Sequence, residues 1–400
     1  MKIGIDCRFW SQTGVGRYTR NLVLELQKID KKNQYVLFVL PQDYDEVKSL
    51  ITNPSSLIIK TNVKWHSLAE QIKFPSLLKK YNLDLVHFPY FSHPIFYNRP
   101  FVVTIHDLII NHFPTGKAST QPMSLYVLKW LGYQRVLRHA VKKSKKIIVP
   151  LQFVKNDLSR TLGVSKDKIE VTPEGFDLAI SKGKISKEIE DATKIPYFLY
   201  VGNAYPHKNL EKLIEGFYKS FPLMQSSKES NGAINGSYID ISYNSRASSS
   251  AESGQTSMVP KLVLVGKDDY FYKRLEKKKF PNLIFLHNVS DSELYHLCNN
   301  SIAAVSASLM EGFGLLPLEA FGCRTIPVVS NIPAFREVCG DTAIYFNPQD
   351  ADDIAKKLIE VSKLSKDKRE NLIKKGKEIL PKFSWSKMAK QTLGIYEEIT

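Results

Sequence analysis

Residues 308–320 read SLMEGFGLLPLEA. They follow the apolar run Ala303–Val305 and open a helical pattern, so they form the turn of a strand–loop–helix unit. Gly312 and Gly314 allow turns and close approach that a side chain would block. Pro317 suits the first helical turn, where its missing N–H costs nothing. The N–H groups of Gly314, Leu315 and Leu316 are then expected to face outward at a positive helix end, a phosphate site that needs no cation.

The same unit recurs in both directions along the chain. Lys2–Ile5, Tyr35–Leu40, Leu83–Phe88, Phe101–Ile105 and Lys146–Val149 read as buried parallel strands. Tyr197–Val201, Leu262–Val265, Leu283–Leu286, Ala303–Val305 and Thr325–Val329 form a second set. Helical segments separate them, such as 16–29, where Leu22, Leu26 and Ile29 share a face. Such alternation predicts βαβ units and parallel sheets. Two sets predict two doubly wound α/β domains, joined near residues 178–196.

Composition narrows the class. Hydrophobic residues make up 43% and charged ones 24%, which excludes a mostly disordered chain, a collagen-like fibre and a membrane bundle. Basic residues exceed acidic ones, 56 against 40, for a net charge of +16. That excess favours anionic partners: nucleic acid, an acidic membrane surface or phosphorylated substrates. The four cysteines are dispersed and form no CxxC pair, so a reducing compartment is expected. The opening MKIGIDCRF reads as a strand, and no apolar run is long enough to cross a bilayer. A cytoplasmic protein is expected. Residues 225–258 hold 11 Ser, 3 Gly and 3 Asn, a composition that buries little apolar surface. They read as a flexible insertion.

Glu311 precedes the glycine loop and Glu319 falls in the first turn of its helix. With a phosphate held between them, each carboxylate can accept hydrogen bonds from sugar hydroxyls. Taken singly, Glu319 is explained by the helix dipole and Glu311 by solvation. Together with the double glycine and the proline, the pair points to a ligand.

EGFGLLPLEA, followed by FGCRTIPVVSNIPAFREV, closely resembles the donor-binding signature of the retaining glycosyltransferases of family 4. The resemblance covers nearly the whole chain apart from the serine-rich insertion. It implies the GT-B architecture, two Rossmann-like domains facing across a cleft. The implied division is an acceptor domain over 1–180, with a C-terminal helix at 384–400 crossing back to it, and a donor domain over 195–380.

The family's residues carry over as follows. Glu311 matches the glutamate that contacts the donor sugar, and Glu319 the one holding the ribose. Phe313, Gly314, Leu315 and Leu316 match the loop that meets sugar and phosphate. YFLYVGNAYPHKNL at 197–210 resembles the segment that opens the donor domain, with Gly202 and Asn203 after its strand. Lys208 matches the lysine that pairs with the diphosphate, where an ammonium stabilises developing charge. Asn203 stands where many members carry an arginine, so either His207 or a nearby cation replaces that charge or the leaving group is held less strongly. Asn288 and Val289 match a stretch that meets the base, although Ser290–Glu293 also reads as a helix capping box.

In the first half, Gly14 and Gly16 lack the third glycine of a dinucleotide fingerprint, since Thr19 stands there. They resemble instead the family's glycine loop, which abuts the diphosphate. His106 lies just past a strand, where open α/β sheets place ligand groups, and resembles the family's histidine near the donor sugar. Asp107 is expected to orient its ring. Glu174, in VTPEGFD, either faces the site or serves a turn. His87 and His93 read as structural.

From Leu108 through Asn156 there are nine Lys and Arg and no Asp or Glu. Over 125–146 Tyr133, Val136, Leu137, Ala140 and Val141 recur at helical spacing, while Arg135, Arg138, Lys142 and Lys145 share another face. Such a helix either lies on an anionic leaflet or is a packed helix with a solvated face. No nucleic-acid module accompanies the charge.

The resemblance implies a retaining hexosyltransferase, and with no Asp-x-Asp motif at the site and Lys208 and a helix dipole in a cation's place, a metal-independent, cofactor-free one is expected. Its resemblance is greatest to bacterial mannosyltransferases. That implies GDP-mannose as donor, with UDP-sugars as alternatives, and a saccharide or polyprenol-linked acceptor in polysaccharide assembly. Location on the inner face of the cell membrane goes with that pathway. The competing expectation is a catalytically silent, membrane-associated subunit of a glycan-assembly complex.

Overall fold

A computed structural model describes residues 1–114, 123–176, 183–221, 259–278 and 281–399. The serine-rich stretch 225–258 lies outside these described residues. The chain divides into two compact units, one of Met1–Phe176 with Lys382–Thr400 and the other of Asp177–Pro381.

The first unit is built on a seven-stranded sheet. Its strands are β1 (Lys2–Asp6), β2 (Gln34–Val39), β3 (Leu57–Lys60), β4 (Leu85–Phe88), β5 (Phe101–Thr104), β6 (Ile147–Val149) and β7 (Ile169–Val171). Their spatial order is β3-β2-β1-β4-β5-β6-β7 and every pairing is parallel. β4 and β5 are buried at every position, the pattern of strands covered by helices on both faces. The helix Gly14–Ile29 packs Tyr18, Leu22, Val23 and Leu26 inward, whereas Ile29, placed on that stripe by its spacing, is 37% exposed. The final helix, Trp385–Ile399, adds Trp385, Met388, Ala389, Ile395 and Tyr396 to the core under β1 and β2.

The second unit carries six parallel strands. They are β8 (Tyr197–Val201), β9 (Lys261–Val265), β10 (Leu283–Leu286), β11 (Ala303–Ser306), β12 (Pro327–Ser330) and β13 (Ile344–Phe346), in the order β10-β9-β8-β11-β12-β13. Alternation along the strands fills two cores. Phe198, Tyr200, Leu262 and Leu264 enter one, while Tyr197, Leu199, Val263 and Val265 enter the other.

Strands β3, β7 and β13 were not expected from the sequence. Each lies at a sheet edge and spans three or four residues. In both sheets the order reverses at one place, between β1 and β4 and between β8 and β11. Open α/β sheets bind ligands outside the carboxyl ends of the strands at such switch points.

Candidate functional site

The residues singled out in the second unit gather at its switch point. Gly202 and Asn203 leave β8, and Ser308 through Leu315 leave β11. The turn Pro206–Lys208 then brings Lys208 beside Glu311. Lys208 Nζ lies 2.7 and 2.8 Å from the two carboxylate oxygens. Both side chains are mostly shielded, 17% and 13% exposed. Ser308 Oγ donates to Glu311 Oε1 at 2.6 Å and sits 3.1 Å from Ser306 Oγ. Burial works against the Glu311 charge, but Lys208 and then the Ser308 hydroxyl hold its carboxyl below the ordinary value. Ser308 escaped the sequence reading although it lies three positions before Glu311 in the quoted stretch.

The lysine is set by its neighbour. Asn209 has a left-handed backbone, φ +59°, and its side-chain amide donates to the carbonyls of Ala307 (3.1 Å) and Pro348 (2.7 Å). The Leu309 N–H in turn donates to the His207 carbonyl at 2.7 Å. The two loops after β8 and β11 are therefore tied together on both sides of the ion pair.

His207 does not supply the charge expected of it. Burial, then the adjacent Lys208 cation, pushes its imidazole down to about 4, so the ring is neutral near pH 7. Asn203 has a structural task instead. Its Oδ1 accepts the Tyr205 N–H at 3.2 Å, an Asx-type turn, and its carbonyl accepts the Tyr200 hydroxyl at 2.6 Å.

The loop after Glu311 runs into the helix Leu316–Gly322, with Pro317 in its first turn. The first helical bond is Glu319 N–H to the Leu315 carbonyl, so the N–H groups of Gly314, Leu315 and Leu316 have no helical acceptor. Gly314 has φ +86°, and a Cβ there would stand 2.5 Å from the buried Phe335 ring. Both conditions demand glycine. Phe313 is buried, while Leu315, Leu316 and Glu319 are half-buried. Asn288, exposed with φ +53°, and half-buried Val289 leave β10 on the same sheet edge. Ser290 and Glu293 form the capping box read from sequence. Among the described residues no group of three or more His, Cys, Asp or Glu is placed to hold a metal.

In the first unit, Gly14 is exposed at the start of its helix. Gly16 is buried, and a Cβ there would meet the Trp10 carbonyl oxygen at 2.4 Å. Packing of the helix on its own entry loop explains that glycine. His106 follows β5 and is held at both nitrogens: Nδ1 lies 2.8 Å from Glu174 Oε1 and Nε2 lies 2.9 Å from the Pro89 carbonyl. Two acceptors are fully satisfied only by a ring that carries both protons. Burial opposes that charge, yet Glu174 outweighs it and the imidazole is raised above its ordinary value. The ring is oriented by Glu174, not by Asp107, whose carboxylate caps the Ile109 N–H. The link spans 68 positions and has no local signal. His87 and His93 are fully buried, and His87 is bonded to Tyr396 and Thr104.

The helix Met123–Lys143 divides into two halves. Leu137, Ala140 and Val141 pack inward, while Arg135, Arg138 and Lys142 are exposed. Ahead of them Leu128 and Leu131 are 66% and 54% exposed. No described helix is long and apolar enough to cross a membrane.

Similarity to known proteins identifies the family and the fold. The family model described as glycosyltransferase family 4 matches residues 12–180, and that described as glycosyl transferases group 1 matches 251–379. The chain is 25% identical over 354 residues to the O-antigen chain mannosyltransferase RfbU of Salmonella typhimurium, covering 85% of this chain and 84% of that protein. It is 24% identical to O-antigen chain mannosyltransferase B of Escherichia coli, covering 96% of each. Among solved structures, sucrose-phosphate synthase of Thermosynechococcus elongatus superposes with a TM-score of 0.70 at 17% identity, over 100% of this chain and 99% of that one. Anabaena Alr3699/HepE, solved with UDP and glucose, superposes with 0.68 at 14%, over 100% of both. With the fold matched along its full length and both halves matched by their own family models, the chain belongs to the group 1 and family 4 glycosyltransferases and has the GT-B fold.

Proposed function

We propose that the chain transfers a hexose, mannose from GDP-mannose, to a saccharide of a growing cell-envelope polysaccharide, with retention of configuration. The observation that carries this reading is the Lys208–Glu311 pair at the switch point of the second sheet. An incoming diphosphate competes with Glu311 for the ammonium, and the released carboxylate then accepts sugar hydroxyls. The N–H groups of Gly314, Leu315 and Leu316 add donors to the same anion. Positive charge at the leaving group thus comes from this chain's own groups, and we include in the reading that neither a resident metal nor a cofactor takes part. The leaving diphosphate accepts the acceptor's proton, so no general base is assigned. Mannose is favoured because both long relatives are mannosyltransferases.

The same reading places the protein on the inner face of the cell membrane through the helix Met123–Lys143. Its exposed leucines adjoin exposed arginines and lysines, the composition of a helix that lies in an anionic interface. The test is a transfer assay with GDP-mannose and UDP-sugars, with and without EDTA, using Lys208→Ala as control. Turnover of GDP-mannose alone, insensitive to EDTA and lost in the variant, is expected. Turnover of UDP-sugars only would overturn the donor assignment. Normal folding with no turnover of any donor would leave the silent-subunit reading standing.

A further inference from the structure

The first unit carries a second constellation at its own switch point. Phe9 follows β1 and Tyr90 follows β4, the two strands that meet there. The Phe9 ring lies 4.7 Å from Trp65 and 5.1 Å from Tyr90, and Tyr90 lies 4.3 Å from Phe91. His66 stacks on Phe91 at 5.5 Å, and Tyr90 reaches His106 at 6.5 Å. Phe9 and Phe91 are buried, Trp65 and Tyr90 half-buried, and His66 exposed. The rings are tilted to one another, 32° between Phe9 and Trp65 and 60° between Phe9 and Tyr90, and form a cluster that is buried at Phe9 and Phe91 and open at Trp65 and His66.

The loop that brings Trp65 and His66 to this cluster is held by buried charge. Arg8 is fully buried and binds Asp6 through two nitrogens, at 2.8 and 2.7 Å. It also donates to Glu70 Oε1 at 2.6 Å and to the Val63 carbonyl at 3.1 Å. Glu70 Oε2 accepts the His66 N–H at 2.9 Å. His66 itself sits at φ +56°, a conformation uncommon outside glycine. A buried ion network is weak evidence for stability, because removing its charges from water offsets their attraction. Here it fixes a strained surface loop, and strain of this kind clusters at ligand clamps.

The polar edges decide what fits. Packing of one side against the Phe9, Tyr90 and Phe91 rings, then the Arg8 charge, lowers the exposed His66 imidazole from its ordinary value, so near pH 7 it offers one donor and one acceptor. The Tyr90 hydroxyl also stays protonated, pushed up by burial. Apolar ring faces rimmed by neutral hydrogen-bonding groups complement a pyranose, whose ring carbons present C–H faces and whose rim carries hydroxyls. An acyl chain has no use for that rim.

We propose that Phe9, Trp65, His66 and Tyr90 form the acceptor subsite, which seats a hexopyranose unit of the acceptor with its C–H face on the Trp65 ring and its hydroxyls toward His66 and Tyr90. This rests on the glycosyltransferase reading of the chain. It adds to that reading which residues choose the acceptor.

The test uses the full chain and two readouts. Octyl α-D-mannopyranoside and methyl hexopyranosides are titrated while tryptophan emission is followed, with octanol as the tail-only control. The emission is expected to change saturably with a glycoside, not with octanol, and the change is expected to vanish in Trp65→Phe. In transfer assays with octyl mannoside, Trp65→Ala is expected to raise the half-saturating acceptor concentration about tenfold and Trp65→Phe only about threefold, as loss of a stacked ring implies. Donor hydrolysis without acceptor keeps its wild-type dependence on donor concentration. A folded Trp65→Ala enzyme with wild-type acceptor saturation overturns the proposal, as does an emission change that octanol reproduces. If glycosides change the emission but no sugar nucleotide is ever turned over, the transferase reading fails and the saccharide site stands.

Discussion

Lys208 and Glu311 are 103 positions apart in sequence, yet the ammonium contacts both oxygens of the carboxylate, at 2.7 and 2.8 Å. The two groups that the family resemblance assigns to the donor therefore pair with each other. The pair keeps two charges in a partly dry loop without leaving either unpartnered, and it breaks in favour of a stronger anion.

Lys208→Ala is expected to lower kcat by roughly 10²–10³, the loss seen when one transition-state donor is removed. It also leaves Glu311 shielded without its cation, at a cost of about 1–3 kcal/mol. Glu311→Gln separates the two effects, because it removes the charge that needed pairing. Thermal melts sort them: Lys208→Ala melts below wild type at pH 7, and the double variant Lys208→Met, Glu311→Gln recovers part of the loss while remaining inactive. Equal melting of Lys208→Ala and wild type would show that the pair contributes nothing to the fold.

The same pair sets an acid limit. Glu311 is held below its ordinary carboxyl value in the folded chain. Its stabilisation is fully present above the unfolded value near 4.5 and is lost as pH falls through the folded one. Melting temperature followed from pH 6 downward is expected to fall less steeply in Glu311→Gln than in wild type.

His106 has the opposite sign. Its folded value is raised above 6.5, so its contribution is complete below the unfolded value and disappears as pH rises through the folded one. The groups around it are Glu174, Asp107, buried His87 and the rings of Tyr18 and Tyr90. Glu174→Gln keeps the hydrogen bond and removes the charge. Proton NMR of the imidazole is expected to show titration moving to lower pH in this variant, with a loss of about 1–3 kcal/mol in stability. An unmoved titration would mean that Glu174 does not hold the proton on the ring.

How much of this was legible follows from range and burial. Buried central strands such as Tyr197–Val201 read as apolar runs because helices cover both faces. The edge strands Leu57–Lys60, Ile169–Val171 and Ile344–Phe346 escaped, since an edge needs only one neighbour and few residues. The glycine loop and both glutamates were visible because turn chemistry is local. The Glu174–His106 bond was not, because tertiary folding alone joins positions 68 apart. Charge failed for the same reason. His207 reads as a cation beside Lys208, but burial decides its protonation and sequence does not show burial.

Gly314→Ala tests the donor loop without touching a charge. At φ +86° a side chain is strained, and its Cβ would press on the Phe335 ring from 2.5 Å. The substitution is expected to cost about 1–3 kcal/mol of the second unit's stability. It is also expected to weaken donor binding in thermal-shift titrations with GDP-mannose, since the N–H groups of Leu315 and Leu316 move with the loop. Wild-type stability and donor response together would show that the loop relaxes freely and that its geometry is unimportant.

Membrane binding, the last expectation, separates apolar from electrostatic attraction. Leu128 and Leu131 are exposed in the same helix as Arg135, Arg138 and Lys142. Co-sedimentation with vesicles of phosphatidylglycerol and phosphatidylethanolamine is expected to exceed that with neutral vesicles. It should weaken with salt, because each basic residue near the surface contributes about 1 kcal/mol within a Debye length. Leu128→Asp, Leu131→Asp is expected to abolish binding even at low salt, since insertion of the leucines is lost and two anions face the leaflet. Arg135→Glu, Arg138→Glu should instead remove only the salt-dependent part. If the leucine variant binds as wild type does, the basic face acts alone, and the exposed leucines have some other use than lipid.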